Sequence, residues 1–505
     1  MKKNLFFVLA VFSLAFLCCA AYADDVKQEN SEKAYFVKSN GKDTNDGRSI
    51  EAPLKTIEKA VEMASKGVIK KIIVIGKIQA NNRDGIIIDT NGSSQILITG
   101  IKDSPAKFTT APDFFGKAKQ DSDIGRVISI RGNSKIVFEH VHITGGNVLN
   151  GGGLYIDDGG DVVIGEGVKI YKNTAYNGGG IYVSNKAFCT IVSGEIYNNK
   201  AGTGITSGFG GGIYGNVLIT GNAVISNNTV QGFGGGVSGN VKVTGNAIIK
   251  NNKADSYGGG IHGEGSGSVE IADNAIISNN EAKKGGGVYT HKLAMSGNSV
   301  IKDNIAYEEA GGVYAENIID MTDNSTVIGN RSSMGGGIAA YSLTMSGSSQ
   351  ITENSAEGDC GGGLFVIKPY PSGKGAVVTM SDNAKITKNS ARNNGGGGFV
   401  ALTMNGHSEI SDNTAKKNAG GVFAVKLDIK DSAVIKNNSA EYGGGVYIYK
   451  EGDITVFDGK ITANKAKFVG GGIYLENGAK YTKFAGNVSE NIAGDGDGHD
   501  IFQQQ

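Results

Sequence analysis

The 505 residues include 80 glycines, five prolines and no tryptophan, and 39% of the side chains are apolar. Glycine without an every-third period excludes collagen, and that much apolar content is enough for a packed core. Charges balance at 49 against 49 with no basic block, so nucleic acid is not an expected partner.

Residues 1–23 read as a secretory signal peptide. Lys2-Lys3 begin it, an apolar run spans Leu5 to Leu17, and Ala21-Tyr22-Ala23 forms a cleavage site before Asp24. The run is short for a membrane helix and Asp24-Asp25 follows, so the mature chain is expected to lack a transmembrane span. Cys18 or Cys19 is the alternative, as a lipoprotein attachment site. Leu17 stands where a small residue is wanted, so cleavage after Ala23 is expected. The mature chain then keeps Cys189 and Cys360, about seven repeats apart. At ~4.8 Å per coil that is roughly 30 Å, too far for a disulfide, and both are expected as buried thiols.

Residues 24–150 are expected to form an N-terminal cap and irregular coils. Tyr35–Gly41 opens a strand and turn. Thr56–Gly67 reads as a short capping helix with Thr56 as N-cap, Gly67 at C′, and Ile57, Ala60, Val61 and Ala64 on one face. Such a helix would cover the open end of a sheet core. Short apolar strands follow between Ile72 and Ile143.

From residue 151 to 493 two phrases alternate. Two or three glycines, a branched apolar residue and often Tyr recur thirteen times between Gly151 and Tyr474. The spacing is about 27 residues, a solenoid period. An Ile-x-x-Asn phrase accompanies each copy. Its asparagines are Asn173, Asn199, Asn228, Asn252, Asn280, Asn304, Asn330, Asn354, Asn389, Asn413, Asn438, Asn464 and Asn491. Three short apolar stretches per unit predict three strands separated by turns, and helical spacing is absent. One unit cannot bury its own apolar face, so the units must stack. The fold class predicted is an all-β, single-stranded right-handed parallel β-helix of thirteen coils, with residues 494–505 as a C-terminal cap or tail.

The asparagines are expected to hydrogen-bond from coil to coil as a structural ladder, with each Asn accepting the left-handed conformation. A phosphate-cradling reading of the glycines fails because no helix follows them. The residue after the inward apolar position must face out. There stand Tyr155, Tyr182, Tyr214, Tyr289, Tyr314, Phe365, Phe423, Tyr447 and Tyr474. This row is either a stabilising external stack or a binding strip for a partner protein or glycan.

Other chemistry is sparse. Asp157-Asp158 precedes Gly159-Gly160 and reads as a loop. His140 and His142 would share a strand face as two metal ligands. Gly496–Phe502 matches most of a calcium nonapeptide, making Asp497 and Asp500 candidate calcium ligands in a single copy. Asp43–Gly47 is oxygen-rich but lacks the distal Glu of an EF-hand. No cofactor is expected, and no catalytic set is assigned.

The stretch Tyr35-Phe36-Val37…Asn40-Gly41-Lys42-Asp43…Asp46-Gly47…Pro53-Leu54-Lys55-Thr56-Ile57 resembles the N-terminal cap of bacterial proteins in the pectate-lyase-like β-helix superfamily. The glycine and Ile-x-x-Asn phrases resemble the GGA[ILV] and FxxN repeats of chlamydial polymorphic outer membrane proteins, over about 340 residues. That resemblance implies a surface-exposed adhesin. The chain departs from the pattern by carrying Ile or Val before the Asn where Phe is usual. No tandem ten-residue alternating strands follow the repeats, so export through a barrel of its own is not expected. The leading expectation is a secreted or surface-displayed bacterial protein that binds a host-cell or matrix protein or glycan. The alternatives are a polysaccharide lyase or hydrolase and an inert envelope component.

Overall fold

The computed structural model describes residues 33–92, 94–110, 125–202, 207–265, 267–367, 377–456, 458–494 and 498–504. The expected signal peptide, Cys18, Cys19 and Asp497 lie outside them.

Apart from one helix, the described chain winds through three parallel sheets of 27, 16 and 16 strands. The first sheet receives two short strands per coil, such as Ile181–Val183 and Phe188–Ile191. In later coils these merge into one long strand, as in Val288–Met295 and Val446–Val456. Each strand pairs in register with its equivalent one coil away, as in Leu154↔Ile181 and Ile170↔Ile196. The strands before residue 150 join the same stack, with Leu154 opposite Ile128 and Asp161 opposite Lys135. The inward column of the second sheet runs Ile170, Ile196, Ile225, Ile249, Ile277, Ile301, and so on through Ile461, every member buried. Period-2 alternation therefore sends one residue in and the next out on each short strand.

Helix α1 (Ile57–Lys66) covers the first coil with Ile57, Ala60, Val61 and Ala64 buried. Thr56 caps it, accepting from Lys59 N–H at 3.3 Å. Gly67 donates to the Met63 carbonyl at 2.9 Å, but its backbone is extended (φ −100°), not the left-handed C′ residue expected. The oxygen-rich run Asp43–Gly47 clasps this helix start. Asp43 accepts from Lys55 N–H, Thr56 N–H and Thr56 Oγ1–H, each at 2.9 Å.

The glycine triplets have two distinct causes. Their first residue takes the left-handed conformation, for example Gly285 at φ 60°. Ala310 and Ala419 occupy that position in two coils, so there Gly is a preference. The next two are sterically required. A Cβ on Gly286 would lie 2.4 Å from the Ile305 carbonyl oxygen, and one on Gly287 would lie 2.7 Å from that of Gly312.

Candidate functional site

The asparagine column forms a continuous buried ladder. From Asn173 to Asn464 the Asn backbone N–H and its Nδ2 both donate to Oδ1 of the Asn in the next coil. Asn280, for instance, reaches Asn304 Oδ1 at 2.9 and 3.0 Å. The second Nδ2 hydrogen goes back to the Ile carbonyl of the preceding coil, as from Asn304 to Ile277 at 3.0 Å. The left-handed residue is not the Asn itself, which corrects the sequence expectation. It is the residue before each Asn: Lys172, Asn198, Asn227 and equivalents down to Ala463 and Glu490. That bend turns the Asn side chain inward, where the amide replaces sheet bonding at the corner.

Both ladder ends are closed. Gly146 N–H donates to Asn173 Oδ1 at 3.1 Å. At the other end, Asn491 N–H and Nδ2 donate to Asp500 Oδ1 at 3.1 and 2.9 Å. Asp500, a candidate calcium ligand by sequence, is thus the last rung of the ladder, and Asn491 has neighbours on both sides. His499 Nδ1 accepts from Ala493 N–H at 2.8 Å beside it. His499 and Asp500 of the nonapeptide-like copy serve the end of the stack.

The expected histidine pair does not share a face. His140 sits at a corner with φ 49°, between strands Lys135–Glu139 and Val141–Thr144, whereas His142 lies within the second strand. Among the described residues no group of three or more His, Cys, Asp or Glu could hold a metal ion. Asp157-Asp158 lies in a turn, with Asp158 N–H bonded to Asp157 at 2.9 Å. Cys189 and Cys360 are free and buried, and burial pushes both thiols up, that of Cys360 to about 12.

The aromatic row faces outward on the first sheet and breaks into stacks. Tyr155, Tyr182 and Tyr214 stack at 5.3 and 5.2 Å. His262, Tyr289 and Tyr314 stack at 5.6 and 5.0 Å. Phe423, Tyr447 and Tyr474 stack at 4.9 and 4.6 Å, and Phe502 adds a ring at 5.2 Å. Two of the nine expected outward rings are in fact buried, Phe423 at 7% and Tyr474 at 9% exposure. Tyr449 leans on the first, and Tyr442 meets the second edge-on.

Between the first two stacks the register places Ser238, which has no ring. Phe209 and Phe233, from the adjoining third sheet, fill that interval. They stack on each other at 5.2 Å, Phe233 lies 5.2 Å from His262, and Tyr257 stacks on Tyr289 at 4.7 Å. Those rings precede the glycines and were missed by reading only the residue after them. His262 is itself buried, with its Nδ1 3.0 Å from Ser238 Oγ.

Stacking decides what the row can offer. Inside each stack the ring faces meet one another, the Arg126 guanidinium covers the Tyr155 face at 4.3 Å, and the Lys284 ammonium lies 5.4 Å from the Tyr314 ring centre. What remains outward is ring edge and hydroxyl. Tyr214 donates to Glu264 at 3.1 Å and Tyr289 to Glu316 at 2.7 Å, both carboxylates exposed. Burial first, then these carboxylates, pushes both phenols above their usual range, and Tyr447 is raised by burial and then Glu476. The strip therefore presents half-buried protonated Tyr edges rimmed by carboxylates.

A coil-stacked parallel solenoid with a buried amide ladder and an outward aromatic row is the class that these observations define. The chain belongs to the right-handed β-helix family, whose model ("Right handed beta helix region") matches residues 125–292 and 369–489, together more than half of the chain. No curated protein matches the sequence. Among solved structures it is similar to a rhamnogalacturonan lyase at 13% identity, covering 81% of this chain and 82% of that chain, with a TM-score of 0.13. No helix among the described residues is long and apolar enough to cross a membrane.

Proposed function

We propose that this protein acts by binding, as an exported β-helix displayed at or released from the cell surface, with the aromatic row as its contact strip. The observation that supports this reading is the set of outward Tyr edges around Tyr214, Tyr289 and Tyr314, held in place by stacking and by hydroxyl bonds to Glu264 and Glu316. Side chains already immobilised lose little freedom on association, and Tyr is a residue type favoured at binding hot spots. Sugar rings stack on aromatic faces, and the faces inside each stack are occupied by neighbouring rings. The edges and carboxylates suit a polypeptide partner better than a glycan.

The test is Tyr289→Ser with Tyr314→Ser, measuring thermal unfolding and attachment to host cells or matrix on the same preparation. Weakened attachment at a temperature where the variant is fully folded is the expected result. A lowered unfolding midpoint with intact attachment would reduce the row to a stabilising stack.

A further inference from the structure

A second outward column stands apart from the aromatic strip, on the second sheet. The register of its first coils places Lys77 opposite Lys107, Lys107 opposite His142, and His142 opposite Lys169. Four cationic or protonatable side chains thus stand on successive coils, ~4.8 Å apart, all pointing outward. Like charges directly opposite one another on a sheet destabilise it. Elsewhere on this protein opposite charges face each other across coils, as in Lys242–Glu270 and Lys253–Glu281. Only at its far end is this column closed by an acid, where Lys169 pairs with Glu195 at 3.3 Å. Lys77 and Lys107 are exposed and make no ion pair among the described residues. His142 is held below its usual range by burial, then by Lys169 and Lys107, with Glu195 opposing.

Two further features accompany the column. The neighbouring column reads Gln79, Thr109, Thr144, Tyr171, Tyr197, with Thr144 buried at its middle and two stacked rings at 5.1 Å at its end. At its other end, Lys77 lines a cleft of about 540 Å³ together with Ser39, Lys55, Gln79, Asn82 and one carboxylate, Glu58, which accepts from Ile87 N–H at 3.3 Å.

We infer that this basic column and the cleft at its end form a binding track for a sulfated glycan lying along the solenoid axis. A linear sugar chain lying along the axis meets this column once per coil, every ~4.8 Å. The column contains no Arg, whose fork would fix carboxylate or phosphate oxygens in a bidentate geometry. Lys acts as a point charge, suited to tetrahedral oxyanions such as sulfate. An anion on the track relieves the repulsion that the column otherwise carries. The inference does not rest on the aromatic strip, which lies on another sheet and is probed by other variants.

The test compares heparin, polygalacturonate and neutral dextran binding to the full chain and to Lys77→Gln/Lys107→Gln. Heparin should bind the unaltered protein best, and the double variant should lose about tenfold at low salt. Its slope of log affinity against log salt should fall by roughly two. Lys416→Gln/Lys417→Gln, exposed and off the track, should bind as the unaltered protein does. Melting of the Lys77/Lys107 variant at or above the unaltered midpoint would show that the loss is not unfolding. Equal heparin affinity in the double variant, preference for polygalacturonate, or binding of dextran as tight as heparin would each overturn the assignment.

Discussion

Replacing Asn304 by Asp tests the ladder more sharply than truncation does. The Asn304 side chain takes part in four bonds: Nδ2 to Asn330 Oδ1 and to the Ile277 carbonyl, and Oδ1 from Asn280 N–H and Asn280 Nδ2. Truncation to Ala takes the amide away from the Ile277 carbonyl, which keeps its place in the strand ladder, and leaves both Asn280 donors unpaired, while Asn330 Oδ1 keeps the bond from Asn304 N–H at 2.9 Å. At about 1–3 kcal/mol for each of these two orphaned donors, less what relaxation recovers, Asn304→Ala should cost about 2–4 kcal/mol. Aspartate has almost the same shape but replaces the donor with a charged acceptor aimed at two oxygens in a fully buried site. Asn304→Asp should therefore be more damaging than Ala at neutral pH and should partly recover in acid, where a protonated carboxyl can donate once. Asp500→Asn is the contrasting change, because an amide oxygen can accept the same two bonds from Asn491, and its effect should stay within about 1 kcal/mol. Stacked repeats need not unfold in one step. Urea unfolding should accordingly be followed together with amide exchange at Asn280 and Asn304. An Asn304→Asp protein as stable as the unaltered chain, with the Asn280 amide still protected, would refute the ladder as an energetic element.

Ser325→Ala should be neutral or stabilising by up to about 1–3 kcal/mol in urea, because Ser325 Oγ is buried without a partner and equivalent coils carry Ala275 or Ala384 there. Marked destabilisation would show that the hydroxyl has a role. Stability should also fall as pH drops from about 6.5 towards 4. Burial lowers His262 to about 4, with Glu316 opposing, so the unfolded chain binds the proton first. The stability present above the unfolded value is lost through that window, by up to ~3 kcal/mol. His262→Phe should flatten this part of the pH profile, and an unchanged slope would locate the proton elsewhere.

Much of the architecture was legible because a solenoid writes its three-dimensional period into the chain. The recurring Ile-x-x-Asn phrase marked the inward column and the corner, and the capping helix was readable from Thr56 and its apolar face. The spacing of equivalent residues could be read even through long inserts, since the Asn354-to-Asn389 rung is kept at 3.0 Å across 35 residues. Local pattern did not reveal which residue bends the corner. The left-handed bend falls on the residue before each Asn, which is Asn, Asp or Gly in eight of the thirteen coils, a signal outweighed by the invariant Asn beside it.

Contacts between segments that share no period were decided only by the folded structure. Asp500 becomes a rung because the tail returns to the Asn491 corner. Phe209 and Phe233 cover the interval at Ser238 because the third sheet adjoins the first at the glycine corner. The Lys77–Lys107–His142–Lys169 column arises from coils of unequal length, so its members have no fixed spacing in the chain. Sequence alone specified what repeats, since periodic burial requires periodic residues. Register across irregular coils determined which side chains meet, because hydrogen-bonded pairing aligns strands regardless of the number of residues between them.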